Sequence, residues 1–273
     1  MQSILIFLCS VLFSTFGTLV GFGGGIFMLP VLILFFHVPI DIAVGSVILG
    51  LLPGSLISSY YNFKEKKIDY VAGFLLEIPT IAGTVFGSFL TSILPLSLLE
   101  IIFAAFVLFV GVYTFQKGQK DNVKINKGNI FFKLNKVGPR VVRRSALGAY
   151  RISMVVSFAF GITAGMIAGL FGIGGGFLKT PIMVNVFGIP PSIATATSLF
   201  MIIFTSLTGT ISHYLLGHLD FTYGIPIVAG FMTGSFTGNF LNLKISEKTL
   251  ARLIGIGLVL AGFSILLNFV FII

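Results

Sequence analysis

The sequence predicts an all-α integral membrane protein built from two inverted repeats. Three observations predict this class: 56% of the 273 residues are hydrophobic and only 9% are charged, long apolar runs recur along the chain, and the second half repeats the first. A soluble domain carries about 25% charged residues. A soluble protein of this length would therefore need far more polar surface than this chain has.

The apolar runs give a hydropathy count of about eight membrane spans. A run of roughly 18 or more apolar residues can cross the hydrocarbon core as a helix. The candidate segments are 4–20, 40–61, 70–92, 98–115, 152–171, 192–215, 221–241 and 250–271. The first has no basic residue at its start and no clear small-residue cleavage site, so we interpret it as a retained span rather than a signal peptide.

The spans fall into a first transmembrane repeat, 1–116, and a second, 152–273, joined by a basic linker at 117–151. The linker holds ten of the 17 basic residues and one acid. This distribution predicts a cytoplasmic linker under the positive-inside rule rather than a nucleic-acid-binding surface. We expect a multi-pass protein of the cell inner membrane. Its expected surroundings are the lipid bilayer, and we expect no nucleic-acid partner.

A shift of 151 positions aligns the two halves without a gap. Gly23–Gly25 and Pro30 then fall on Gly174–Gly176 and Pro181. The basic loop 64–67 meets an uncharged counterpart, whereas the stretch 92–100, which has no basic residue, meets one that contains lysines. Corresponding loops thus favour opposite sides of the membrane, which predicts that the halves are inverted.

Inverted halves need an odd number of crossings each, and about three full spans plus one glycine-broken re-entrant helical hairpin would supply it. The short apolar piece 26–36 would be about 17 Å long as a helix, roughly half the hydrocarbon thickness. We therefore expect it to end near the midplane, with the segments around Pro39 and Pro190 at the hairpin tips. Hydropathy alone would instead count four spans per half and a parallel pair.

The glycine runs "GFGGG" and "GIGGG" are the candidate site. Consecutive glycines weaken a helix and permit positive φ, and such a break survives in a membrane only where protein or water covers it. The helix that follows would present free N–H groups to an anion, and paired broken helices are typical of secondary transporters. The alternative is close helix packing, which we favour for Gly83/Gly87 and Gly234/Gly238.

The motifs "GFGGGIFMLPVL" and "GLFGIGGGFLKTPIMV", each followed by a proline-led segment, resemble the TauE/SafE family of sulfite and organosulfonate permeases. The resemblance covers nearly the whole chain. It implies an inner-membrane transporter of small sulfur-containing anions, driven by an ion gradient. The motif is specific for the family and weak for the substrate.

Several polar side chains inside the spans are further candidates. Lys179 would be a counter-charge for the anion if it faces a cavity, or an anchor if it reaches the interface. Glu77 is the candidate for proton coupling, with a structural acid as the alternative. The predicted substrate-binding residues are Gly23, Gly24, Gly25, Pro39, Ser46, Gly174, Gly175, Gly176, Lys179, Pro190, Thr197 and Ser198.

Enzyme signatures are absent from the sequence. It has no H-E-x-x-H zinc motif and no G-x-S-x-G elbow, and its three histidines are scattered. We predict no catalytic residue, metal or cofactor. The sequence gives no basis for assigning an oligomeric state. The predicted function is alternating-access transport of a small anion, with a proton or another ion as the candidate coupling partner. The alternatives are a passive anion channel and a carrier of an unrelated solute.

Overall fold

The computed structural model describes residues 2–119, 134–145, 148–241 and 247–272. Within these ranges the chain forms ten helices and one β-hairpin. They are α1 (Gln2–Val20), α2 (Gly25–Phe36), α3 (Ile40–Lys64), α4 (Tyr70–Ile93), α5 (Leu96–Gln119), β1 (Arg140–Ser145), β2 (Gly148–Ser153), α6 (Met154–Phe171), α7 (Gly176–Asn185), α8 (Pro191–Leu215), α9 (Phe221–Phe240) and α10 (Glu247–Ile272).

Six of the described helices are long and apolar enough to cross a membrane: α1, α3, α4, α5, α6 and α8. The chain is therefore a mostly helical integral membrane protein, as the composition predicts. Spanning helices at the positions of α9 and α10 stay a prediction from hydropathy. The side chains described in α10 include a shorter apolar stretch, Gly255–Leu267.

The two halves interlock, because each packs its helices mainly against the other half: α1 on α9, α4 on α6, α3 on α9, α4 on α8, and α5 on α10. Glycines make these approaches close. A Cβ atom on Gly83 or Gly87 would lie 2.3 or 2.1 Å from carbonyl oxygens of α6, and one on Gly234 would lie 2.4 Å from a carbonyl oxygen of α1. The packing role predicted for these glycines is confirmed.

These contacts also fix the helix directions. Gly83 and Gly87 of α4 meet successive turns of α6, and Gly230 and Gly234 of α9 meet successive turns of α1, so both pairs are parallel. In the same way α3 runs parallel to α9 and α4 parallel to α8. The central pair is antiparallel, because Gly45 of α3 lies beside His213 of α8 while Gly209 lies beside Ile48. Helix α3 thus runs opposite to α8, helices α1 and α9 run in the direction of α3, and helices α4 and α6 run in the direction of α8.

A β-hairpin in the second part of the linker was not predicted. Strands β1 and β2 pair antiparallel, with Arg140 opposite Ser153. In β2, Tyr150 and Ile152 are buried while Arg151 is exposed, which is the alternation that a strand requires. The basic composition of the segment hid this period of two. The first part of the predicted linker, 120–133, lies outside the described residues.

Candidate functional site

Both glycine runs interrupt the helix, as predicted. Three glycines in each run have positive φ: 84°, 78° and 98° at Gly21, Gly23 and Gly24, and 63°, 71° and 69° at Gly172, Gly174 and Gly175. Side-chain-bearing residues rarely adopt this backbone conformation, so the chain needs glycine there. The first run therefore ends α1 and starts α2, and the second ends α6 and starts α7.

The two glycine loops, which we define as residues 21–25 and 172–176, meet at the middle of the molecule. A Cβ atom on Gly23 would lie 2.8 Å from Leu51 and 3.4 Å from Ile202, and one on Gly174 would lie 2.9 and 3.2 Å from the same two side chains. Leu51 and Ile202 occupy the middle of α3 and α8. Both loops therefore lie beside the centre of the α3–α8 pair.

The expectation that the proline segments form the hairpin tips is wrong. Pro39 and Pro190 are the residues that precede α3 and α8, so they lie at the ends of those long helices. It is the start of α2, not its end, that lies beside the middle of α3. Helix α2 folds back along α1, since Met28 receives a hydrogen bond from Ser10 and Phe27 packs on Phe13.

The glycine loops contact each other reciprocally. A Cβ atom on Gly25 would lie 3.3 Å from the carbonyl oxygen of Gly172, and one on Gly176 would lie 2.8 Å from that of Gly21. The Ser198 hydroxyl donates to the Gly21 oxygen at 3.0 Å and lies 3.4 Å from the Gly176 oxygen. The candidate Ser198 therefore joins the two loops.

Each loop leaves backbone donors unpaired. In the described part of the chain, the N–H groups of Gly24–Ile26 and Gly175–Phe177 have no backbone acceptor, as is usual in the first turn of a helix. Helices α2 and α7 begin here, so their positive dipole ends point to the same region. The arrangement suits a small anion and needs no charged side chain.

The candidates Ser46 and Thr197 bind protein groups. The Thr197 hydroxyl accepts a hydrogen bond from the Asp69 N–H at 3.0 Å, and the Ser46 hydroxyl lies 3.4 Å from the carbonyl oxygen of Asp220. Both hydroxyls are buried. They hold the starts of α4 and α9, which Asp69 and Asp220 cap with their carboxylates.

Asp69 also anchors the linker hairpin. Its carboxylate accepts hydrogen bonds from Tyr150 and from Arg143 Nε, the latter at 3.2 Å. Burial alone would raise the pKa of the Asp69 carboxyl, but hydrogen bonds from Tyr150, the Ala72 N–H and Arg143 hold this pKa below its usual value. The hairpin therefore docks on an ionised carboxylate at the start of α4.

Glu77 and Lys179 form one buried cluster, which the sequence analysis did not foresee. Lys179 Nζ lies 2.6 Å from Glu77 Oε2 and 2.6 Å from Thr205 Oγ1, and the Thr205 hydroxyl donates to Glu77 Oε1. The side chains of Lys179 and Glu77 are 0% and 1% exposed. Lys179 is thus no interfacial anchor, and its charge is already paired.

The cluster joins the two halves, with Glu77 from the first and Lys179 and Thr205 from the second, and the repeat does not duplicate it. At the offset of 151, the residues equivalent to Lys179, Glu77 and Thr205 are Met28, Val228 and Gly54. A buried methionine replaces the lysine there, and the glycine lets α3 approach Ser235 of α9. The sequence offered this contrast as a signal, since two charges occur where the repeat itself has apolar residues.

Comparisons with known proteins match the chain along its length. The family model described as "Sulfite exporter TauE/SafE" matches residues 6–265. A Bacillus subtilis (strain 168) protein named "Probable membrane transporter protein YunE" is 29% identical over 99% of this chain and 100% of its own length. A Haemophilus influenzae "Probable membrane transporter protein" is 26% identical over 98% and 97%. No solved structure matches the chain.

A plant relative matches a shorter part. The Arabidopsis thaliana "Sulfite exporter TauE/SafE family protein 3" is 36% identical over 75 residues, which are 28% of this chain and 16% of the plant protein. The two bacterial relatives align over both halves and the linker.

Proposed function

This chain belongs to the sulfite exporter TauE/SafE family and is a membrane transporter rather than an enzyme, and from that premise we propose that it carries a small anion with a sulfur oxyanion or sulfonate group. The anion binds between the two glycine loops. Its oxygens accept hydrogen bonds from the unpaired N–H groups of Gly24–Ile26 and Gly175–Phe177. This pair of facing helix starts is the observation that carries the proposal.

The membrane topology in this proposal has three crossings per half. Helices α1 and α2 form a re-entrant hairpin with the first glycine loop at its tip, and α3, α4 and α5 cross. Helices α6 and α7 repeat the hairpin from the opposite side. The antiparallel direction of α3 and α8 supports this inverted arrangement, as does the return of α2 along α1.

The proposed topology puts the linker on the cytoplasmic side of the inner membrane. The basic loop 64–67 and the hairpin that binds Asp69 then lie at the same end of the molecule, which agrees with the positive-inside rule. The uncharged segment between α4 and α5 lies at the other end. Lys244, which would also be cytoplasmic, lies outside the described residues.

Transport in this proposal follows alternating access, with the halves rocking about the glycine loops. The starts of α2 and α7 belong to different halves but reach the same point, so relative movement of the halves would open the loops to one side at a time. The small-residue contacts of α1 on α9 and of α4 on α6 provide smooth surfaces for that movement.

Flux into liposomes tests the proposal. We expect saturable uptake of sulfite and methanesulfonate that internal substrate accelerates, with little uptake of chloride. Counterflow of this kind separates a carrier from a channel. Protein-free liposomes are the control. Linear flux without counterflow would support a passive channel, and no flux of any tested anion would overturn anion transport.

A further inference from the structure

We propose that Glu77 and Lys179 couple the binding of each anion to the uptake of one proton. In the empty protein the Glu77 carboxylate holds Lys179; when a proton neutralises Glu77, Lys179 is released to bind the anion at the start of α7. This inference rests on the proposed function and assigns its coupling site.

The position of Lys179 carries the first step. Lys179 is in the first turn of α7, and its side chain runs back toward the start of that helix: its Cε atom lies 3.2 Å from the position of a Cβ on Gly175. The ammonium therefore belongs to the same helix start as the unpaired N–H groups of Gly175–Phe177. A cation there is unfavourable beside the positive end of the helix dipole unless an anion neutralises it.

Glu77 supplies that negative charge from another helix. It reaches Lys179 from α4 at 2.6 Å, with Thr205 of α8 bonded to both. The Thr205 hydroxyl donates its hydrogen to the carboxylate and accepts one from the ammonium. It thereby orients the pair and keeps a hydrogen-bond partner for Glu77 when Lys179 turns to the anion.

Charge balance makes the coupling strict. The empty site holds one negative and one positive charge, and the site loaded with a proton and a monovalent anion holds a neutral acid, the ammonium and the anion; both are neutral overall. The proton is taken from the bulk solution, where the buffer supplies it, and adds to Glu77. The Lys179 hydrogen bond to Oε2 is replaced by one to the anion. An anion without a proton would leave an unpaired charge buried in the membrane, which is costly.

The other ionisable groups near Glu77 are few and already bonded to protein groups, so Glu77 is the group that changes charge. Helix α6, which packs on α4, carries no ionisable side chain, and α7 carries only Lys179. Asp69 at the start of α4 is bound by Arg143 and Tyr150. His213 on α8 bonds the Gly169 oxygen at 2.8 Å and His218 at 3.1 Å.

Proton uptake on anion binding tests the inference. Purified protein in weakly buffered detergent solution is titrated with methanesulfonate, whose charge is constant across the physiological pH range. We expect one proton taken up per anion bound, and an affinity that rises about tenfold for each unit that the pH falls while Glu77 is ionised. Glu77→Gln is expected to bind the anion with no proton uptake and no pH dependence.

Two further variants keep the test decisive. Glu100→Gln, which removes a carboxyl of α5 outside the cluster, should behave like the wild type. If Glu77→Gln does not fold, the double variant Glu77→Val/Lys179→Met introduces the residue types found at the repeat-related position. Because it lacks the ammonium, it should bind the anion more weakly than the wild type, with no proton uptake and no pH dependence. Anion binding by the wild type without proton uptake overturns the inference and leaves the proposed function standing; no anion binding at any pH overturns both.

Discussion

Lys179→Met is expected to lower the free energy of unfolding by about 3–5 kcal/mol, the usual cost of removing one partner of a buried ion pair. The variant leaves the Glu77 carboxylate buried with only Thr205 as a partner. The double variant Glu77→Val/Lys179→Met should be close to wild-type stability or above it, because replacing a whole buried pair with apolar residues is often neutral or stabilising.

The position related to the pair by the repeat makes this cycle a matched one. Met28 and Val228 already occupy the equivalent positions of the same fold, so the substituted side chains suit such a site. Equilibrium unfolding in detergent at neutral pH measures the difference. A single variant as stable as the wild type would show that the two charges are not paired as described. A double variant less stable than the single one would show that packing at this place differs from packing at the repeat-related position.

Gly176→Ala is expected to reduce transport strongly. Its Cβ atom would lie 2.6 Å from Ile202, 2.8 Å from the Gly21 oxygen and 3.1 Å from the Ser198 hydroxyl. The Ile202 side chain can turn away, but the Gly21 oxygen is backbone, so the two glycine loops must separate. Loss of one hydrogen bond to a charged ligand costs about 1.5–3 kcal/mol, which is about ten- to a hundredfold in affinity.

The corresponding first-half variant provides a graded comparison. On Gly25 the same Cβ would lie 3.0 Å from Leu51 and 3.3 Å from the Gly172 oxygen, so Gly25→Ala should have a smaller effect. Gly257→Ala is the control, since a Cβ there meets nothing within 4 Å. Concentration dependence of methanesulfonate uptake in liposomes measures all three. Equal uptake by Gly176→Ala and Gly257→Ala would place the anion away from the loops.

The sequence was sufficient to predict the features that depend on local chemistry. Consecutive glycines predict a helix break in any fold, and three positions of each run need positive φ. Spaced glycines predict close helix contacts, as at Gly83 and Gly87. The long apolar segments predict the helices themselves, and each candidate span coincides with one of them.

Features that depend on tertiary arrangement were missed. Glu77 and Lys179 are separated by 102 positions and meet only because α4 and α7 both pack on α8. Helix length alone could not tell whether α2 begins or ends at the middle of α3, and the hairpin tip was therefore assigned to the prolines. The linker hairpin contacts Asp69, and composition does not reveal this tertiary contact.

The central claim is that backbone N–H groups of two glycine loops hold the anion between the halves. A structure of the native protein soaked with selenite, an analogue of sulfite that scatters anomalously, tests it most directly. We predict one selenium peak between the loops, with its oxygens about 3 Å from the amides of Gly24–Ile26 and Gly175–Phe177. Selenium bound elsewhere at saturating selenite, with both loops empty, would contradict the account.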